Sequence, residues 1–171
     1  MARSVSSSVL RVFRELASRI RRDRVFIVIG DALCDSDEME VLMGRARCRE
    51  FDEDLYQVYY EIRSIIAELN VECIASVCIN GIARRILDKV IELYGSCETG
   101  VKEAIPKHVA DEYLKCLSVC DVVVFLGLET PLSFVADSIP LGLALGKRVI
   151  LISNSITELD GVHPLYERIT Y

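Results

Sequence analysis

The stretch DVVVFLGLETPLSFVADSIPLGLALGKRVILIS, residues 121–153, decides the fold class. Val122, Val123, Val124, Phe125 and Leu126 form an unbroken apolar run between Asp121 and Gly127. So short a run with no polar alternation reads as a strand buried on both faces. The loop 128–132 opens a helix running to about residue 145, and Pro140 inside it is expected to kink it or mark a late start. Gly146-Lys147-Arg148 then turns into a second buried strand at 149–153. Strand, helix and strand in that order make a crossover unit with parallel strands.

Upstream, the same alternation repeats. Residues 25–29 read as a buried strand ending at Gly30-Asp31, followed by an acidic stretch (Asp31, Asp35, Asp37, Glu38, Glu40). Leu55, Val58, Tyr59, Ile62, Ile65, Ile66 and Leu69 keep the 3.6-residue period and predict a helix over 52–69, which Asn70 ends. A strand is expected over 71–78, a turn at Asn80-Gly81 and a helix over 82–94. Residues 95–106 read as a loop or short strand, and 107–117 as a helix. The expected architecture is one α/β domain over 1–171, Rossmann-like (flavodoxin-like), with a mainly parallel sheet flanked by helices. The segment 1–23 is a basic amphipathic helix, because Val9, Val12, Phe13, Leu16 and Ile20 recur at helical spacing. The tail Val162-His163-Pro164-Leu165-Tyr166 is expected either to close over a pocket or to form an edge strand.

Composition narrows the class. With 171 residues, 51% of them hydrophobic and only 9 Gly and 4 Pro, the chain can bury a sizeable core and is neither disordered nor fibrous. No apolar run approaches the ~18 residues that cross a bilayer. With no spanning run no membrane partner is expected, and the net charge of −6 argues against an obligatory nucleic-acid partner. That charge is uneven: Arg3, Arg11, Arg14, Arg19, Arg21, Arg22 and Arg24 face only Glu15 and Asp23 in the first 24 residues, a local +5 against −11 elsewhere. The basic start resembles an organellar transit peptide in composition, but its apolar period favours a helix packed on the body.

Seven cysteines stand at 34, 48, 73, 78, 97, 116 and 120. No apolar h-region is read, so secretion is not expected, and no spacing is CxxC; cytoplasmic, mostly reduced thiols acting as small buried hydrophobes are expected, with no metal. One Gln, three Asn and an excess of Arg over Lys suggest a thermophile, whose intracellular proteins can hold disulfides.

In an open parallel sheet, ligands bind beyond the carboxyl ends of the strands. The segments 30–49, 78–81 and 127–137 meet there. The last feeds a helix N-terminus suited to an anion, with Gly127 in the turn and Thr130 and Ser133 as hydroxyl donors. Ser133 is equally a simple helix cap. No GxGxxG and no Walker A motif occurs.

The segment 121–137, continued through Gly142 to Lys147 and Ile152, resembles the nucleoside 2-deoxyribosyltransferase superfamily. It is most similar to the 2′-deoxynucleoside 5′-phosphate N-hydrolases. Gly44-Arg45-Ala46-Arg47 and the helix bearing Tyr59 and Tyr60 resemble that family's Gly-Ser-Ile-Arg loop and Tyr-bearing first helix. The resemblance implies a nucleoside or nucleotide ligand, no cofactor, a homodimer, and N-glycosidic cleavage through a carboxylate at C1′ with a general acid at the leaving base. The family's catalytic Glu aligns on Ser138, or on Asp137 with a one-residue insertion. Its second acid falls on Tyr113, with Asp111 close by, and its loop glycine is Phe134. The implied catalytic set is Asp137, Asp111 and Tyr59. The implied substrate-binding set is Asp31, Arg45, Tyr60, Gly127, Thr130, Ser133 and Ser138. In a monomer, Leu132 and Phe134 are expected to be exposed.

Two other readings compete. One is a catalytically inactive nucleotide-binding or interaction protein of the phosphoribohydrolase-like class, with Gly127 and Thr130 as its remaining motif residues. The other is a Mg²⁺-dependent nuclease of the PIN or NYN type, using Asp31, Asp111 and Glu129.

Overall fold

The computed structural model describes residues 2–35, 38–45, 47, 53–97, 99–102, 104–155 and 157–171. Helix α1 (Ala2–Ala17) leads into strand β1 (Arg24–Ile29), a single 3₁₀ turn (Asp31–Leu33) and the short helix α2 (Glu38–Leu42). Helix α3 (Glu53–Ile66), strand β2 (Asn70–Ser76), helix α4 (Ile82–Ile86) and strand β3 (Val90–Glu92) follow. A two-stranded ribbon, β4 (Gly95–Ser96) and β5 (Gly100–Val101), precedes α5 (Lys107–Val119). The last third runs β6 (Val122–Leu126), α6 (Ser133–Ala144), β7 (Arg148–Ile152) and β8 (Tyr166–Ile169).

Six strands form one sheet in the order β3-β2-β1-β6-β7-β8, and every pairing in it is parallel. The chain therefore moves outward from β1 to β3, returns to lay β6 against β1, and moves outward again to β8. The sheet is continuous because its central strands offer apolar side chains to both faces. Val25–Ile29 and all of β6 are buried, as two-sided helical cover requires. Phe26, Val123 and Val149 share one row, and that row faces α5 and α6: the Phe26 and Tyr113 rings meet edge-on at 5.1 Å, and Gly142 lies against Val123 and Val149. Helices α3 and α4, each completing a right-handed crossover, cover the other face, and α1 packs beside α3.

Val9, Val12, Phe13, Leu16 and Ile20 are all buried. Much of the exposed arginine of this region is answered within the chain: Arg11 pairs with Glu15, Arg14 with Glu61 and Arg19 with Glu167. Such exposed pairs contribute little to stability, ~0–1 kcal/mol each, but they lower the free positive charge.

Three local expectations are corrected. The helix expected over 82–94 stops at Ile86, because the chain must supply a third parallel strand; Ile74 pairs with Val90, and Lys89 turns the backbone at φ 53°. Leu132 and Phe134 are partly buried against the core, and Phe134 meets Tyr113 edge-on at 5.1 Å. The cysteines are not mostly reduced. Cys34 bonds Cys78 and Cys73 bonds Cys116, Cys97 is also disulfide-bonded, and Cys120 is a free buried thiol. Sequence spacing could not give these pairs, since the sheet order brings residues 43 and 44 positions apart within Cα distances of 5.9 and 5.3 Å. The tail forms β8 as an edge strand on β7.

Candidate functional site

At the carboxyl edge of the sheet, β1 and β6 end side by side and their loops diverge. A Cβ on Gly30 would stand 2.6 Å from the carbonyl carbon and oxygen of Gly127 and from the nitrogen of Leu128. The absence of a side chain there lets the two loops touch backbone to backbone, with the N–H of Ala32 donating to the Gly127 carbonyl at 2.9 Å. Gly127 itself turns at φ 69°.

Asp31 fastens this junction. One carboxylate oxygen accepts from the backbone N–H groups of Glu129 and Thr130 at 2.9 and 3.0 Å, and the other accepts from the Thr130 hydroxyl at 2.7 Å. Glu129 continues the network outward, accepting from the Asn154 N–H, the Ser155 hydroxyl and the Tyr171 hydroxyl at 2.8, 2.7 and 2.7 Å. Partial burial acts to raise its carboxyl, but those donors, together with the Ser153 hydroxyl, outweigh it and hold the group below the ordinary carboxylate range. The loop after β6 is thus shaped by the chain's own carboxylates. Beyond it α6 begins without a side-chain cap: Leu132 occupies the capping position and Ser133 is exposed. The first-turn N–H groups of a twelve-residue helix therefore lie at the point where the strand order reverses.

A second cluster lies between the ends of β1 and β2. The Glu38 carboxylate accepts from the N–H of Asp35 at 3.0 Å and of Ile79 at 2.7 Å, tying the segment after β1 to the loop after β2. Burial raises this carboxyl to about 7, against the opposing effect of those N–H donors. The Cys34 and Cys78 sulfurs stand beside it, every pair among the three groups having atoms within 4.8 Å. Tyr59 closes the cluster from α3, its hydroxyl 3.2 Å from the Leu33 carbonyl and 3.6 Å from the Cys78 sulfur. Burial and the nearby Glu38 keep that phenol protonated. The Asn80 side chain accepts from the Ile82 N–H at 3.1 Å, while its Nδ2 is buried with no acceptor among the described residues.

The residues implied by the family resemblance are scattered. Asp31, Gly127 and Thr130 meet at the β1–β6 junction, and Ser133 stands beyond them at the start of α6. Tyr59 is fully buried beneath the Cys34–Cys78 pair, whereas Tyr60 is half exposed. Arg45 pairs with Glu40 at 3.4 Å. Asp111 is exposed on α5 and bonded to Lys107 at 2.8 Å, and Asp137 is exposed on α6, across the sheet from Tyr59. The positions aligned with the family's two acids do come together: the Tyr113 and Ser138 hydroxyls are 2.9 Å apart. Both are buried between α5 and α6, and neither is a carboxylate. Asp31, Asp111 and Glu129 do not converge either. Among the described residues, the only three side chains of metal-ligating type that do are Cys34, Glu38 and Cys78, and their sulfurs are bonded to each other. The nuclease reading thus lacks its acid cluster. Glu38 escaped the sequence reading because its meaning depends on β1 and β2 being neighbours. Its only local signal is the four-residue spacing from Cys34.

No family model and no curated sequence matches the chain. Solved structures do. The structure of Sir2Af2 bound to a myristoylated histone peptide is similar over 92% of this chain and 90% of its own, at 14% identity and a TM-score of 0.61. Sir2Tm bound to a propionylated peptide gives 93% and 92% coverage, 13% identity and a TM-score of 0.60. The Sir2 complex with a p53 peptide and NAD⁺ gives 90% and 91%, 13% and 0.55. These likenesses overturn the deoxyribosyltransferase resemblance and the N-glycosidase activity drawn from it. The motif that suggested them, a buried strand, a loop, a helix and a Gly-Lys turn into another strand, is common property of crossover units. The fold is Rossmann-like, of the kind found in sirtuins.

Proposed function

We propose that the chain binds a nucleotide of the NAD class at the carboxyl edge of the sheet, between the loops that follow β1 and β6. The observation that carries this reading is the reversal of strand order between β1 and β6, with the uncapped N-terminus of α6 standing at the crevice it opens. A pyrophosphate there meets free N–H groups and the positive end of the helix dipole. Gly30 and Gly127 let the two loops close against each other beside the crevice, and Asp31 holds the loop after β6 in place. The NAD⁺ in one of the similar Sir2 structures supports the choice of ligand class.

The test is calorimetric titration of NAD⁺, ADP-ribose and AMP into the wild type and into Ser133→Asp. A carboxylate at the first position of α6 favours the helix dipole by ~0.3–1 kcal/mol, so the variant should unfold at a slightly higher temperature. The same charge repels a phosphate, and affinity for NAD⁺ should drop by about tenfold or more. Wild-type protein that takes up none of the three ligands, or a variant that binds them equally well, overturns the reading.

A further inference from the structure

The cluster beneath the β1 and β2 ends has a feature that the Cys73–Cys116 disulfide lacks. Cys73–Cys116 ties β2 to α5, and no third group of metal-ligating type converges on it among the described residues. Cys34–Cys78 instead has a carboxyl, a phenol and a backbone carbonyl around its sulfurs. The Gly30 oxygen lies 3.6 Å from the Cys34 sulfur and 3.8 Å from the Cys78 sulfur, so each thiol of the reduced pair finds an acceptor already in place. The Tyr59 hydroxyl faces the Cys78 sulfur at 3.6 Å and can donate to a thiolate formed there. The Glu38 carboxyl has an oxygen within 4.8 Å of both sulfurs.

We propose that Cys34 and Cys78 form a redox-active dithiol–disulfide couple that exchanges with small thiols, with Glu38 carrying the proton. Cys34 is the more exposed of the two sulfur residues, at 8% against 3%, and is the one attacked. A thiolate RS⁻ forms an S–S bond to the Cys34 sulfur, and the Cys34–Cys78 bond breaks. The electron pair leaves on Cys78, which Tyr59 stabilises and which takes the proton of the Glu38 carboxyl. A second RS⁻ then attacks the sulfur of the bound R group. It releases RSSR and the Cys34 thiolate, and protons from solvent restore the Cys34 thiol and the Glu38 acid. Two thiols are oxidised and one protein disulfide is reduced. In the oxidising direction Glu38, as carboxylate, accepts the proton of the attacking thiol.

The titratable groups facing Glu38 are Asp35 on its own segment, Tyr59 from α3 and the two sulfurs from the β1 and β2 ends. Burial keeps Glu38 protonated up to neutral pH, so its acid form is available where thiols begin to ionise. This couple does not depend on nucleotide binding.

The experiment equilibrates the full chain with glutathione buffers of graded thiol-to-disulfide ratio. Acid quenching, alkylation and peptide mass analysis then score each cysteine pair, while circular dichroism reports the fold. Cys34–Cys78 should open at a ratio at least about tenfold less reducing than Cys73–Cys116, with the circular dichroism unchanged. Reduction rates of wild type and Glu38→Gln are then compared. Their ratio should exceed one at about pH 6, where Glu38 donates, and drop below one at about pH 8, where its charge opposes the leaving thiolate. Reduction of both pairs together with loss of the fold overturns the proposal, and so does a rate ratio that does not change with pH. The buffer titration needs no variant, so a misfolded Glu38→Gln leaves the exchange itself still decided.

Discussion

Gly30→Ala is expected to cost about 3 kcal/mol of folding stability, near the upper end for overpacking, because the new methyl meets main chain rather than a movable side chain. The backbone conformation is not the obstacle: Gly30 has φ −90° and ψ 174°, which any residue adopts. Space is. The added carbon would lie 2.6 Å from three main-chain atoms of Gly127 and Leu128. These atoms cannot retreat cheaply. Gly30 donates to the Leu126 carbonyl at 2.8 Å, Ala32 to Gly127 at 2.9 Å, and Gly127 to Ile152 at 2.9 Å, so a shift strains the ends of β1, β6 and β7 together. For a chain of this length, 3 kcal/mol corresponds to a melting temperature lower by about 10 °C. Gly161→Ala is the comparison. Gly161 has φ 72° with nothing near the added carbon, so it probes conformation without crowding and should cost ~1 kcal/mol. Equal losses in the two variants, measured by thermal and urea denaturation, would refute the close-approach argument.

How much of this was legible in the sequence follows from the range of each interaction. Strands β1, β6 and β7 announce themselves because burial on both faces forces local runs such as Val122–Leu126, and the crossover order follows from alternation with helices. Asp31 and Thr130 were legible as edge residues for the same reason: a strand end in a parallel sheet is a predictable place. Their mutual hydrogen bonds were not, since 99 positions separate them. Over 82–94, Ile86, Val90 and Leu93 fit a helical period, but pairing of Val90 with Ile74 overrides that local preference. The family resemblance failed at the same range. Tyr113 and Ser138 meet in space, but the chemistry at that meeting point depends on the two side chains present, and here they are hydroxyls packed in the interior. The disulfides and Glu38 lay furthest from view, because each depends on which strand lies next to which.

The stability of the folded chain should depend on pH through Glu38 in a sense opposite to most carboxylates. Desolvation favours its neutral form, and the like charge of Asp35 adds to that. N–H donors from Ile79, Asp35 and Asn80 favour the ionised form and do not overcome burial, leaving the folded value at about 7 against an ordinary 4.5. Below 4.5 the group is protonated in both states and contributes no pH dependence. Between 4.5 and 7 the unfolded chain releases the proton while the folded chain keeps it, so folding loses about 3 kcal/mol across that window and stays flat above it. Asp121, Asp160 and Glu167 are held below their ordinary values by Arg24, Arg168 and Arg19, so their contributions to stability disappear in more acidic solution, outside this window. Glu38→Gln isolates the effect. The amide keeps one acceptor oxygen, so one of the Ile79 and Asp35 bonds is lost at every pH, a constant offset of ~1 kcal/mol. The slope, however, goes with the proton. Urea denaturation of the oxidised protein from about pH 4.5 to about pH 7.5 should therefore find the variant less stable at the acidic end, gaining about 3 kcal/mol on the wild type by the neutral end. Parallel curves would mean that Glu38 is ionised in the fold across this range, and that its hydrogen bonds outweigh its burial.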